Sequence, residues 1–446
     1  MTNFPRLSYY LLQGTRRLRW NEKKIRKYQN KQVRRVVKNA SDNVPFYRRM
    51  FKSAGVYPEE IKTVDDLKRL PIVRKTDIKK IPETENISKE FNVRNLRVVK
   101  TGGSTGEPLS IYLSKKEDDW RKSIYLRANI SCGQRPRDRW VALTEAEHAL
   151  ETTSLQHRLR IFAQEVVPVV WKPRDQLKTV ERIRPDVLDG FSNSLLLLAI
   201  EAERKGNSSI QPRIIFGSAE LIDLHSRKYL EEVFGAPFYD QFGCTEVDRS
   251  AWQCPERIGY HMDVDSVLIQ FLDRNGEEVA PGERGEIVYT SLFNYAMPFI
   301  RYGTQDLGVP VSDSCPCGIK LPLMKAVEGR SNSFLVFPDK HIVSPMSFIE
   351  ILQAFRFVKE ISQYRVVQKT NDLIEIYIKK TLDDVNEQSL TRTLLTNLSE
   401  GLPKVENVDV SKIKFEVKFV NDLPLTQRGK LNVIVSQVQS NLVNSE

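Results

Sequence analysis

Cysteine is scarce in this sequence, with five residues in a chain of 446. So few thiols cannot staple a chain of this length through a disulfide framework, and a reducing, cytoplasmic setting is the expectation. Long apolar runs are missing too. The longest purely aliphatic stretch is Leu195–Ile200, far short of the roughly 20 residues that a membrane-spanning helix needs. Met1–Leu12 lacks an apolar core followed by a small-residue cleavage site, so no secretory signal is expected. Acidic residues are almost absent from the first 38 positions, where Glu22 stands alone against twelve Lys and Arg. The whole chain holds 68 basic and 57 acidic residues, which leaves 56 of each beyond residue 38. The net charge of +11 is therefore the property of one segment.

Within that segment Leu18, Ile25, Tyr28, Val33, Val36 and Val37 recur at helical intervals. One or two amphipathic helices with a basic face are expected. Such a face suits an anionic membrane surface, or is simply solvated while its apolar side packs on the body. Nucleic acid is not expected as a partner, because no aromatic residues interleave a basic surface motif. The rest is globular in composition, 40% apolar and 28% charged, and long enough for two or more domains.

One stretch stands out. Thr101-Gly102-Gly103-Ser104-Thr105-Gly106-Glu107-Pro108 lies between the alternating segments Leu96–Lys100 and Leu109–Leu113. It reads as strand, loop, strand. Glycines let backbone N–H groups turn inward and approach a polyphosphate closely, and the hydroxyls add donors. The loop matches neither the Walker motif nor the dinucleotide fingerprint, and a flexible surface hairpin is its plain alternative.

Further along, a helix is expected over 117–129, a strand at 140–143, a helix–strand passage at 159–171 and a helix at 194–205 stopped by Gly206. Ile214–Phe216, Asp223–Phe234 and Pro237–Phe242 form a βαβ pattern. Its two strands end at Gly217-Ser218-Ala219-Glu220 and Gly243-Cys244-Thr245-Glu246, both read as βα turns, and ligands of parallel sheets bind at such ends. Val264–Leu272, Arg284–Thr290 and Met297–Arg301 alternate like antiparallel strands. From Phe334 onward the pattern is strand, helix (347–355), strands (364–368 and 373–380), helix (385–398), strand (412–420) and a tail, an α+β domain of its own.

Five stretches, in this order, resemble the motifs of the adenylate-forming enzymes. They are Thr101–Pro108, Gln241–Glu246, Ile300-Arg301-Tyr302-Gly303-Thr304-Gln305-Asp306, Gly329-Arg330-Ser331-Asn332 and Pro424-Leu425-Thr426-Gln427-Arg428-Gly429-Lys430. The resemblance covers residues 40–435 and is nearest to the phenylacetate–CoA ligase branch and the CapK-like proteins of polysaccharide gene clusters. It implies an α/β fold with a large N-terminal domain of layered sheets (39–329), a small mobile C-terminal α+β domain (330–446) and the basic segment (1–38) outside the shared pattern.

The resemblance also implies roles. Thr101, Gly103, Ser104, Thr105 and Gly106 would hold the β- and γ-phosphates of ATP. Phe242, with Gly243 behind it, would lie on the adenine, and the backbone of Gly217, Ser218 and Ala219 would line its edge. Thr245 would reach the α-phosphate, Glu246 would bind Mg²⁺, Asp306 the ribose hydroxyls, and Arg330 would stand at the hinge. Lys430 would bridge the carboxylate and the α-phosphate. The expected activity joins a carboxylic acid to AMP and passes the acyl group to coenzyme A. The alternatives are an amine acceptor such as an amino sugar, which gives an amide, or a catalytically weak nucleotide-binding scaffold. A homodimer and peripheral contact with the inner face of the membrane through residues 1–38 are compatible with it. Two departures stand out: Glu107 occupies a position where the family usually has lysine, with Lys100 as a compensating charge, and Gly303 and Gln305 replace bulkier or basic residues.

Cys254, His261, Cys315 and Cys317 form a second constellation. Cys-Pro-Cys-Gly is a tight knuckle able to offer two thiolates to one metal, and a Cys₃His set fits a closed tetrahedral Zn²⁺ site of structural type. Four unconnected residues are the alternative. Cys244 is expected to pack rather than to act as a nucleophile, and the other four histidines show no ligand spacing.

Overall fold

The computed structural model describes residues 2–101, 108–145, 149, 150, 152–206, 209–353, 360–426, 430–440 and 442. The chain forms two compact units. The first comprises Met1–Trp140, Ala146–Glu165 and Tyr239–Val327; the second comprises Val141–Glu145, Val166–Phe238 and Glu328–Glu446. The class is α/β with a large sheet-containing part and a smaller C-terminal α+β part, as expected.

The first unit opens with the helices Phe4–Arg17 and Glu22–Asn43, each capped by an asparagine side chain (Asn3 and Asn21) that accepts a first-turn amide. On the second helix Ile25, Val33, Val36, Val37 and Ala40 are buried. All but Ile25 join Tyr47, Phe51, Leu67, Ile111, Phe299 and Ile300 in one core. The apolar face of the basic segment is thus inside, and its lysines are outside. A buried ion-pair cluster ties the first helix to the same body. Arg127 reaches Asp265 at 2.8 Å and Asp263, Arg17 reaches Asp265 at 2.7 Å, and Arg249 reaches Asp263 at 3.0 Å.

The strands of this unit run in the order Val267–Leu272, Gly285–Ser291, Tyr302–Val311, Leu323–Arg330, Tyr260–Met262, Asp248–Gln253, Phe238–Cys244. The glycine hairpin has the expected flanks: Arg97–Lys100 pairs antiparallel with Ser110–Leu113. Residues 102–107 lie outside the described residues, and so do Ala146–His148 and Gln427–Gly429.

Two readings are corrected. Met297–Arg301 is not a strand. Pro298 offers no N–H, Arg301 has φ 47°, and the strand starts at Tyr302. The segment Gly243–Glu246 is not a βα turn. Phe238–Cys244 folds back antiparallel on Asp248–Gln253, with Gly243 opposite Arg249 and Cys244 opposite Asp248. A Cβ at Gly243 would stand 2.2 Å from the Asp248 carbonyl oxygen, so only glycine lets this tight hairpin close.

In the second unit Val187–Phe191 pairs in parallel with Ile214–Ser218. The helices Pro173–Ile183, Ser192–Lys205 and Leu224–Phe234 cover these strands with Leu177, Leu195, Leu198, Leu230 and Phe234. The C-terminal part has strands in the order Lys414–Val420, Leu373–Lys380, Ile361–Thr370, Ile434–Ser436. Its helices Pro345–Leu352 and Glu387–Glu406 bury Phe348, Leu390, Leu394 and Leu398 against Val366, Ile374 and Ile376. The strand Ile434–Ser436 falls in what the sequence suggested was a tail. Among the described residues no helix is long and apolar enough to cross a membrane.

Candidate active site

In the first unit the Phe238–Cys244 hairpin and the strand Tyr302–Val311 bring three of the expected residues together. The Tyr302 hydroxyl donates to Glu246 Oε1 at 2.7 Å. Arg121, on the helix Lys115–Ser131, donates to the carbonyls of Thr245 at 3.0 Å and Glu246 at 2.5 Å, and Asn294 Nδ2 donates to the Glu246 carbonyl at 3.1 Å. Backbone and side chain of Glu246 are thus both held. Burial, with Glu246 and Asp306 as added negative neighbours, pushes the Cys244 thiol well above its ordinary value. The Tyr289 hydroxyl, bonded to Ser250 at 2.7 Å, is pushed up by burial and by the same three groups. A thiol so disfavoured as thiolate is no nucleophile, which fits the packing role expected of Cys244.

The backbone is strained at one residue of each unit that the sequence placed beside a motif. Gln305, immediately before Asp306, has φ 65°, and in the second unit Ala219 has φ 71°. Residues without glycine's freedom hold such angles only when their surroundings enforce them, and they cluster at functional positions.

Thr101 closes the neck of the glycine hairpin. Its hydroxyl accepts from Leu109 N at 2.8 Å and from Lys75 Nζ at 2.9 Å. Lys75 was not singled out by the sequence, since it lies 26 residues before Thr101 and in no motif. Lys100, the expected compensating charge, is exposed on its strand. Gly103, Ser104, Thr105, Gly106 and Glu107 lie outside the described residues. Phe242 is half-buried opposite Ala251.

In the second unit Gly217 allows a close approach: a Cβ there would stand 2.0 Å from the Phe238 ring. Ser218 ends the strand, and Glu220 follows. Lys430 lies with its ammonium 4.7 Å from the centre of the Phe191 ring. Its N–H donates to Thr426 Oγ1 at 3.1 Å, and the next amide, Leu431 N, donates to Glu220 Oε1 at 3.1 Å. Arg330 is exposed, at the end of the strand Leu323–Arg330. Gly329 before it has φ 104°, which a glycine adopts without strain.

The four ligand atoms of Cys254, His261, Cys315 and Cys317 lie within 4.8 Å of one another. Cys254 Sγ and Cys315 Sγ are 3.5 Å apart, and Cys317 Sγ is 3.3 Å from His261 Nε2. A tetrahedron with Zn–S bonds of about 2.3 Å has edges of about 3.8 Å, so the cluster is of the right size. The other ring nitrogen, His261 Nδ1, is 3.3 Å from the Leu321 carbonyl, which turns Nε2 toward the sulfurs. Burial lowers the His261 pKa, which favours the neutral ring, the form that binds metal.

No family model matches the chain. It is similar to the phenylacetate–coenzyme A ligase of Thermus thermophilus, 28% identical over 331 residues that make up 70% of this chain and 72% of that one. It is 24% identical to the enzyme of the same name from Pseudomonas putida, over 408 residues and 87% of each. Its fold matches a crystal structure of 2-hydroxyisobutyryl-CoA ligase in the postadenylation state, with a TM-score of 0.79 and 20% identity over 95% of this chain and 91% of that one.

Proposed function

We propose that the chain is an adenylate-forming enzyme of the branch of the phenylacetate–CoA ligases it is similar to, and that it activates a carboxylic acid with ATP and passes the acyl group to coenzyme A. The observation that carries this reading is Glu246, its backbone held by Arg121 and Asn294 and its carboxylate by Tyr302. A carboxylate so fixed suits Mg²⁺, and Asp306, whose carboxylate only accepts, suits a ribose diol.

The acid's carboxylate oxygen attacks the α-phosphorus, the bond to the bridging oxygen breaks, and pyrophosphate leaves with the electron pair. Lys430 carries the positive charge that both anions need in this step. Thr245 assists at the α-phosphate, while Thr101, with Lys75 on its hydroxyl, and the residues Gly103–Gly106 hold the leaving pyrophosphate. Phe242 and the Gly217–Ala219 backbone hold the base. Mg²⁺ supplies neutralisation of the phosphate charge. The thiol of coenzyme A then displaces AMP from the acyl carbon.

Zn²⁺ is assigned to Cys254, His261, Cys315 and Cys317 as a structural ion. It would cross-link two loops of the first unit and takes no part in the reaction.

Pyrophosphate exchange into ATP, run with a panel of aromatic, hydroxy and aliphatic acids with and without coenzyme A, tests the reading. Exchange that needs an acid but not coenzyme A supports it. An amino-sugar arm asks whether an amine, as in polysaccharide assembly, replaces the thiol. ATP binding without exchange for any acid would leave a nucleotide-binding scaffold.

A second reading concerns place. Lys23, Lys24, Lys27, Lys31, Arg34, Arg35 and Lys38 recur at i, i+3 and i+4 on the exposed face of the helix Glu22–Asn43. Phe4, Tyr9 and Leu12 are exposed on the helix Phe4–Arg17. A basic ridge and exposed apolar side chains each suit an anionic bilayer surface, the ridge at about 1 kcal/mol per basic residue near the surface. Co-sedimentation with phosphatidylserine vesicles but not with phosphatidylcholine vesicles supports this peripheral contact; equal recovery with both rules it out.

A further inference from the structure

The acyl-transfer chemistry needs Lys430 in one place during adenylation. Thr426 N donates to the Lys430 carbonyl at 2.8 Å and Lys430 N returns a bond to the Thr426 hydroxyl, which shapes the turn. Glu220 makes a bond that reaches beyond the turn. Its Oε1 accepts from Leu431 N at 3.1 Å, across 211 residues of sequence, and its Oε2 accepts from Asn193 N at 2.9 Å. Asn193 lies in the first turn of the helix Ser192–Lys205, two residues after Phe191, the ring under the Lys430 ammonium. One carboxylate therefore binds both the first turn of this helix and the amide next to Lys430. The strained Ala219, with φ 71°, directly precedes it.

We infer that Glu220 is a positioning residue, which docks the Lys430 loop against the Phe191–Asn193 corner for adenylation and must release Leu431 N for the lysine to withdraw. This rests on the proposed function for its chemistry and on the two amide bonds for its geometry. Charge–amide bonds are stronger than neutral ones, so the loop is held more firmly than a neutral acceptor would hold it. Burial pushes the Glu220 carboxyl up, and the two amides and the Lys430 charge act against that push. Glu220 touches no reacting atom in this assignment.

The test uses the full chain with Glu220→Gln, which keeps the shape of the side chain, and Glu220→Ala. Hydrogen–deuterium exchange over residues 425–436 of the ligand-free protein reads the docking directly. Loss of one charge-assisted amide bond should speed exchange at Leu431 about tenfold in Glu220→Ala, with a smaller change in Glu220→Gln. In kinetics, a lysine displaced by an ångström should slow acid-dependent pyrophosphate exchange by up to about a hundredfold. Turnover of a synthetic acyl-AMP with coenzyme A should stay within about twofold, since that step does not use the docked lysine, while KM for ATP should hardly move. Unchanged deuterium exchange over 425–436 overturns the inference, whether or not the wild type activates any acid. An equal fall in both half-reactions also overturns it, because Glu220 would then only support the helix and the nucleotide site. A wild type that activates no acid sinks the functional reading instead, and the deuterium result still decides the docking.

Discussion

The Tyr302 hydroxyl donates to the Glu246 carboxylate at 2.7 Å, and the two residues come from motifs 56 positions apart. This bond fixes the rotamer of the carboxylate assigned to Mg²⁺. Tyr302→Phe should raise the Mg²⁺ concentration for half-maximal exchange by about three- to tenfold, the worth of one hydrogen bond to a charged group. A magnesium titration checks it, and an unaltered midpoint would remove Glu246 from the metal.

Lys430→Ala should slow adenylation by about 10²–10³, the cost of removing a group that meets charge developing in the transition state. ATP affinity by calorimetry should stay near wild type. Near-full pyrophosphate release by this variant would end the catalytic assignment.

Lys75 donates to the Thr101 hydroxyl at the neck of the glycine loop. Lys75→Met should raise KM for ATP about tenfold with a smaller effect on kcat, as loss of one charge-assisted contact implies. Glu107→Lys should act in the opposite direction. A Lys75→Met enzyme with wild-type KM would mean that this cation serves only the hairpin.

Elemental analysis should find one zinc per chain. Cys315→Ser should abolish it and lower Tm by about 5–10 °C, since metal-binding free energy is folding free energy spread over a large unit. Metal-free protein with an undiminished Tm would reduce the cluster to buried thiols.

Acid should unfold the first unit through Asp265. Burial pushes this carboxyl up, but Arg127 and Arg17 prevail and bring it down to about 2. A folded-state pKa below the unfolded value means that its contribution is complete above about pH 4 and is lost as pH falls toward 2. Asp265→Asn should cost about 3–5 kcal/mol at pH 7, the penalty for orphaning buried guanidinium groups, and should flatten the acid limb of stability. An acid limb unchanged by the substitution would show that the cluster contributes nothing there.

Much of this protein was legible along the chain because local patterns are local physics. Gly206 and Gly235 stop their helices where positions after the last apolar turn predicted, and Ile374, Ile376 and Ile378 alternate along the strand Leu373–Lys380. The ordered motifs identified the class of chemistry, since nucleotide, carboxylate and phosphate each impose residue types at fixed places. The Cys₃His set was likewise readable from ligand types alone. What sequence could not decide was register and neighbourhood. Asp248–Gln253 and Tyr260–Met262 form strands although their polar residues break the apolar alternation, because they pair inside a sheet where Ser250, Trp252 and His261 are all buried. The helix Lys115–Ser131 buries charged residues on several sides, so no hydrophobic periodicity announces Arg121. Its partners are carbonyl groups, which carry no sequence signature. Lys75 beside Thr101, Tyr302 on Glu246 and Glu220 on Leu431 N depend on pairings across tens to hundreds of residues, and only the folded chain sets those distances.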